Sequence, residues 1–235
     1  MGRLTNKTRV ITNERPIHAG KLLIFCEGAT EHNYLEYLNQ YLKNNVKARY
    51  SELVLEQIET IDTKGNAQNV FNYAENFLNT DDNARKYSLY EKHLVFDCDA
   101  PKDIQSVIEQ MKNSVHDYVL DYSCLLFETW LVMHYMHLAV TDDVKKGKIL
   151  SRIREYLGVK KYTSKVKASR GTIASILGNE GNIKIRQAID NAKELQKYWS
   201  DHNYEYYNNV KIMNPSTSIH ELVEVLLDEI EDVCK

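Results

Sequence analysis

Two acidic motifs stand directly behind short apolar runs. Leu22-Leu23-Ile24-Phe25-Cys26 is followed by Glu27-Gly28-Ala29-Thr30-Glu31, and Leu94-Val95-Phe96 by Asp97-Cys98-Asp99. Runs of this kind read as strands buried on both faces. In open α/β sheets, sites collect beyond the carboxyl ends of such strands. Carboxylates gathered at one rim repel each other unless a cation or a proton stands between them. An all-oxygen set of this kind suits Mg²⁺ or Mn²⁺, which are held by a few carboxylates, waters and substrate phosphate. A lone Asp-x-Asp is explained as well by a solvated turn. Glu-Gly behind one buried strand and Asp-x-Asp behind another is more specific, and it nominates Glu27, Asp97 and Asp99 as metal ligands. Glu31 is a candidate for the same site, although an acid in a first helical turn is also explained by the helix dipole.

The elements that must position these residues can be read from the pattern. Strands are expected at Lys21–Cys26, within Ala48–Ile61, at His93–Asp97 and at Tyr118–Tyr122. Between them, Glu31–Lys43 places Tyr34, Leu35, Leu38 and Leu42 on one helical face. A second helix carries Val70, Phe71, Tyr73, Ala74 and Phe77, and Pro101 suits the first turn of a third. An apolar helix is expected over Leu125–Leu138. Strands alternating with helices predict an α/β fold with a central, mostly parallel sheet flanked by helices. The expected organisation is an N-terminal arm (1–20), an α/β core (21–140), a helical basic lobe (141–200) and a C-terminal segment (201–235). The last ends in an acidic helix docked on the core. Ser218 with Glu221, just after Asn214-Pro215, reads as a capping box at that helix's start.

The 235-residue chain carries a net charge of −3, which hides a strong asymmetry. Val144–Arg170 contains ten of the thirty lysines and arginines and a single acid, Glu155, so it carries +9 against −12 elsewhere. A field of that kind concentrates a polyanion beside nearby chemistry. A solvated helical face is the competing explanation. No apolar run approaches the length that spans a bilayer, and the N-terminus lacks a signal-peptide core, so a cytoplasmic protein is expected. Cys26, Cys98, Cys124 and Cys234 show no metal-ligand spacing, and the first three read as small core residues. No Walker-type phosphate loop is present, which argues against ATP hydrolysis by this chain.

The stretches LLIFCEGATEHNYLEYL and LVFDCDA resemble a Toprim domain, in which a glutamate after one strand and Asp-x-Asp after a later one hold divalent metal. More narrowly, the chain resembles the RloB family, associated with bacterial abortive infection. The resemblance extends through Ser123–Trp130 with His134-Tyr135, Tyr162–Lys165, Ala188–Lys193 and Asn214–Val223. There are departures: the loop at Glu27–Glu31 is one residue shorter, Cys124-Leu125 replaces Asn-Pro, and Ala100-Pro101 follows Asp99 where another acid often stands. The resemblance implies a metal-dependent nuclease acting as a phage-defence effector, with a partner ATPase of the ABC or AAA kind.

Glu27 would then be general acid/base or metal ligand, with Asp97 and Asp99 holding the ion. Lys160, Lys161, Lys165, Lys167 and Arg170 would hold the phosphate backbone. Glu128, an acid in an apolar stretch, must be paired or face a cleft, and reads equally as a supporting site residue or as a buried partner for a lysine or arginine. His134 reads first as a hydrogen-bonded core histidine and second as a supporting site residue. Phe127 and Trp130 read as core. Two rivals remain: a catalytically silent nucleic-acid-binding or adaptor subunit, and an aspartyl phosphotransferase of haloacid-dehalogenase type. The latter usually carries its aspartate pair on the earliest strand, whereas here the pair is on a later one. RNA or DNA as target, the trigger and the oligomeric state are left open by the residues.

Overall fold

The computed structural model describes residues 21–45, 52–57, 66–99, 101–140, 144–167, 169–178, 181–204 and 213–231. The arm at 1–20, Cys234, and the side chain of Leu42 lie outside the described residues. Four strands form one parallel sheet: β1 (Lys21–Cys26), β2 (Glu52–Gln57), β3 (Glu91–Cys98) and β4 (Tyr118–Cys124), in the order β2-β1-β3-β4. The helices are α1 (Ala29–Asn45), α2 (Ala67–Leu78), α3 (Asp81–Lys86), α4 (Pro101–Asn113), α5 (Glu128–Met133), α6 (Lys146–Leu157), α7 (Ser164–Lys167), α8 (Arg170–Leu177), α9 (Gly181–Asp201) and α10 (Ile219–Glu231). This is the expected α/β architecture, a parallel sheet flanked by helices, and it is consistent with a Toprim-like fold. Among the described residues, no helix is long and apolar enough to cross a membrane.

Alternation along β1 divides the core into two layers. Leu22, Ile24 and Cys26 face a cluster built with Tyr34, Leu35 and Leu38 of α1, Trp130 of α5, Ile149 of α6, Ile173 of α8 and Leu222 of α10. Leu23 and Phe25 face the opposite cluster, with Val70, Phe71 and Ala74 of α2 and Ile104 and Ile108 of α4. Successive strand side chains point to opposite faces. A strand covered on both faces therefore reads as the unbroken apolar run seen in the sequence. Tyr73 departs from the expected α2 face and is partly exposed. The cysteines at 26, 98 and 124 are buried and unbridged, as expected.

Two local expectations are corrected. The helix anticipated over Leu125–Leu138 is only Glu128–Met133. The strand before it runs two residues longer than expected, to Cys124, because the segment at 216–218 pairs with its edge. Cys124 N donates to Ser216 O at 2.8 Å, and Ser123 bridges Thr217 antiparallel. Leu125 then adopts a positive φ of 69°, a region costly for a side chain with a Cβ and incompatible with continuing a helix. At the other end, Asn191 of α9 donates to the carbonyls of Met133 and Met136, at 2.8 and 3.3 Å. A distant side chain thereby satisfies acceptors that are left free as the helix stops.

The start of α10 also differs from the capping-box reading. The Ser218 hydroxyl turns to β4, accepting from Tyr122 N at 2.9 Å and donating to Leu120 O at 3.3 Å. Thr217 Oγ1 accepts from Ile219 N at 3.2 Å, while Gln196 donates to Glu221 at 2.9 Å. Docking to the sheet edge takes the serine because a strand edge presents unpaired backbone groups that need partners.

Candidate metal centre and adjoining basic segment

Parallel pairing of β1 with β3 sets Cys26 opposite Val95, so Glu27, just past β1, and Asp97, near the end of β3, lie at the same end of the sheet. The ladder continues one residue past β1, with Glu27 N donating to Val95 O at 3.0 Å. The Glu27 carboxylate then accepts from the Asp97 amide, Oε2 to N 3.1 Å. One motif's side chain thus holds the other motif's backbone. Burial raises the Glu27 carboxyl; the bond from the Asp97 amide opposes this, the charge of Asp99 adds to it, and Lys146 opposes it again.

Glu31 lies in the first turn of α1 and is only 5% exposed. Its carboxylate folds back over Gly28, so a Cβ at that glycine would stand 2.8 Å from Glu31 Oε2. A side chain at position 28 would therefore displace the Glu31 carboxylate from this position. Burial holds the Glu31 carboxyl at about 8; its own amide opposes the rise, Glu128 and Glu27 reinforce it, and Lys167 opposes it. Asp97 is likewise held well above the usual carboxylate range, first by burial and then by Glu31, Glu27, Glu128 and Asp99. Its buried Oδ1 has no hydrogen-bond partner among the described residues. Five acids therefore act on one another at one end of the sheet, and Glu31 and Glu128 belong to the group with the three nominated ligands.

This donor set has the chemistry for Mg²⁺ or Mn²⁺: carboxylate oxygens in mutual repulsion, one of them buried and unpartnered. Among the described residues, no group of three or more His, Cys, Asp or Glu side chains is arranged to hold a metal ion. Two of the acids are engaged by lysines instead. Lys146, the first residue of α6, reaches Asp99 Oδ2 at 2.7 Å. Lys167, the last residue of α7, reaches Glu128 Oε1 at 2.8 Å and stands over the Tyr162 ring, 5.4 Å from its centroid. Glu128 is 2% exposed, so both readings of it apply: it is a lysine's buried partner and a member of the acidic group.

The +9 segment therefore touches the acidic rim near both of its ends. Lys160, Lys161, Lys165 and Arg170 are exposed between or just beyond those anchor points. Lys167 differs from the other four in being half-buried against the site.

His134 sits apart from the acids. It is fully buried, within 3.0 Å of the Tyr34 hydroxyl and 3.1 Å of the Trp130 carbonyl, and burial depresses its imidazole to about 4. Phe127 and Trp130 are core, as expected.

Sequence reasoning missed a second charged group inside the sheet. His93 Nδ1 lies 2.6 Å from Asp121 Oδ2, with both side chains fully buried, and Glu91 stands 3.4 Å from Nε2. Burial pulls the imidazole down, but the charge and hydrogen bond of Asp121, with those of Glu91, overcome it and hold it at about 9. The available signal was an ionisable residue in each of two neighbouring buried strands, since buried charges require partners. Lys146 stands in the basic window, but nothing in its spacing singles it out for the site.

No curated protein and no solved structure matches the chain. A family model described as RloB-like protein matches residues 22–226. With the order of the motifs and the parallel sheet that presents them, that match covers nearly the whole length: the chain belongs to the RloB-like protein family.

Proposed function

We propose that the protein is a divalent-metal-dependent nuclease of Toprim type, serving as the effector of a bacterial anti-phage abortive-infection system. The observation that carries this reading is the joining of Glu27 to the Asp97 backbone at the carboxyl ends of adjacent parallel strands, within an acidic group bordered by the +9 segment. Glu27, Asp97 and Asp99 would hold Mg²⁺ or Mn²⁺. Such an ion supplies charge stabilisation on the phosphodiester and readies a water or leaving oxygen. Lys160, Lys161, Lys165, Lys167 and Arg170 draw backbone phosphates toward the rim without reading bases. Glu27, buried and raised, serves as ligand or as general acid/base. An ABC- or AAA-type ATPase partner, restraining or triggering the nuclease, follows from the family resemblance alone.

The test is cleavage of RNA and DNA by the full chain, with and without its neighbouring ATPase, in Mg²⁺ or Mn²⁺. Cleavage lost in Asp97→Asn and in chelator supports the reading. Cleavage that survives both contradicts it. A second reading, a catalytically silent nucleic-acid-binding or adaptor subunit, is favoured by one observation: lysines already engage Asp99 and Glu128. Nucleic-acid binding without cleavage under every metal and partner condition would support it.

A further inference from the structure

Two lysines of the basic segment, Lys146 and Lys167, have ammonium groups that meet the acidic group. They approach it from two helices and engage different acids. Lys146 pairs with Asp99 where both side chains are nearly half exposed, 48% and 44%. Lys167 pairs with buried Glu128 while its own side chain stays 34% exposed. Each lysine thus has its ammonium on a carboxylate while part of its side chain is exposed. With their present partners, however, both are already neutralised. The carboxylates are equally committed, and no metal-holding group is assembled among the described residues.

The two facts have a common resolution. We propose that Lys146 and Lys167 are the cations that receive the substrate phosphate at the rim, each held by an acid until that acid turns toward a divalent cation. When Asp99 and Glu128 rotate inward, Lys146 and Lys167 lose their partners and present free ammonium groups at the spot where a phosphodiester must sit. Binding of metal and of nucleic acid is then coupled through these two ion pairs, without any movement of the sheet. The exposed Lys160, Lys161, Lys165 and Arg170 supply a grip that does not depend on metal. This inference rests on the nuclease reading for its substrate class; it adds Lys146 as a phosphate-binding residue and makes the contribution of Lys167 depend on metal.

Coupling of this kind is read in the salt dependence of binding, since each phosphate neutralised contributes roughly 0.7–0.9 to the slope of log K against log salt. The experiment measures the affinity of the full chain for a labelled single-stranded oligonucleotide, as RNA and as DNA. It is run over a salt series in chelator and again in Ca²⁺, which replaces Mg²⁺ to suppress turnover. In Ca²⁺, but not in chelator, wild type should show a slope steeper by about one to two units than a variant lacking both lysine charges. Lys146→Gln should lose about half of that difference while keeping the chelator slope. Comparing variant with wild type cancels the screening that Ca²⁺ exerts on any polyanion.

Lys167→Gln alone would strand a buried Glu128, so the second variant is Lys167→Gln with Glu128→Gln, which removes both charges. It should lose the other half, and Lys167→Arg should restore it. Loss of slope on removing these lysines that is equal in chelator and in Ca²⁺ would overturn the handover and leave the nuclease reading standing. So would a full Ca²⁺ slope in both charge-removing variants. No binding by wild type in either condition would overturn both.

Discussion

Asp97 and Glu31 define the site at the scale of single residues, because both keep protons that ordinary carboxyls release. Glu31 holds its proton to about pH 8 in the folded chain, whereas the unfolded chain gives it up near 4.3. Folding therefore retains a proton across that window. Its contribution to stability is complete at acidic pH and is lost as the pH rises through 8. In metal-free protein, unfolding free energy should fall between pH 5 and pH 8.5, by roughly 1–3 kcal/mol. Glu31→Gln should flatten the curve. A curve of unchanged steepness in Glu31→Gln would place the proton elsewhere, for example on His93, whose imidazolium is also lost as pH rises through about 9. Asp97→Asn puts a permanently neutral group where burial and the neighbouring acids oppose a charge. It should stabilise the metal-free chain by about 1 kcal/mol in urea denaturation while abolishing cleavage. A loss of stability would mean that Asp97 already has an attractive partner.

The element scale is where loops and strand edges deliver those residues. Gly28→Ala puts a Cβ within 2.8 Å of the end of the Glu31 side chain. Glu31 can swing away, so the fold should survive with a change of less than about 1 kcal/mol. The carboxylate cannot then lie over the loop, and the pH dependence attributed to Glu31 should weaken as it does in Glu31→Gln. Persistence of the full pH dependence in Gly28→Ala would contradict that placement. On the sheet's β4 edge, Thr217 Oγ1 donates to Tyr122 O at 2.9 Å, lies 2.9 Å from Ser123 Oγ and accepts from Ile219 N. Thr217→Val keeps the shape and strands these partners, a change that should cost about 1–3 kcal/mol. A cost below about 0.5 kcal/mol would show that the 216–218 segment does not hold the edge.

The elements that can be read from the residues are those decided locally. β1 and β3 are covered on both faces, so their apolar runs and the acids behind them stand out. Pro101 and the apolar face of α2 announce their helices in the same way. The extent of α5 is not legible, because Asn191 of α9 and the turn at Leu125 decide where it stops and starts. The role of Ser218 escapes a local reading because its partner is a strand nearly a hundred residues earlier. The carboxylate group is legible from strand ends and topology. Its ion pairs are not, since which lysine meets which acid depends on how α6 and α7 dock.

At the scale of the whole molecule, charge is separated along the chain and brought together by the fold. The acidic rim and the +9 segment meet at Asp99–Lys146 and Glu128–Lys167. Neutralising Lys160, Lys161, Lys165 and Arg170 together should leave the fold intact, because their side chains are exposed. The same change should weaken nucleic-acid binding and reduce its salt slope by roughly 0.7–0.9 for each phosphate that is no longer neutralised. Unaltered affinity and slope would assign that stretch to solvent or to a protein partner. All of this depends on the acids at the sheet's end being a cation site. Calorimetric titration of Mn²⁺ into the metal-free full chain, beside Asp97→Asn, tests that claim most directly. Saturable binding by the wild type, with a rise in its melting temperature and loss of both in the variant, is the predicted result; no binding, or equal binding by the two proteins, would contradict it.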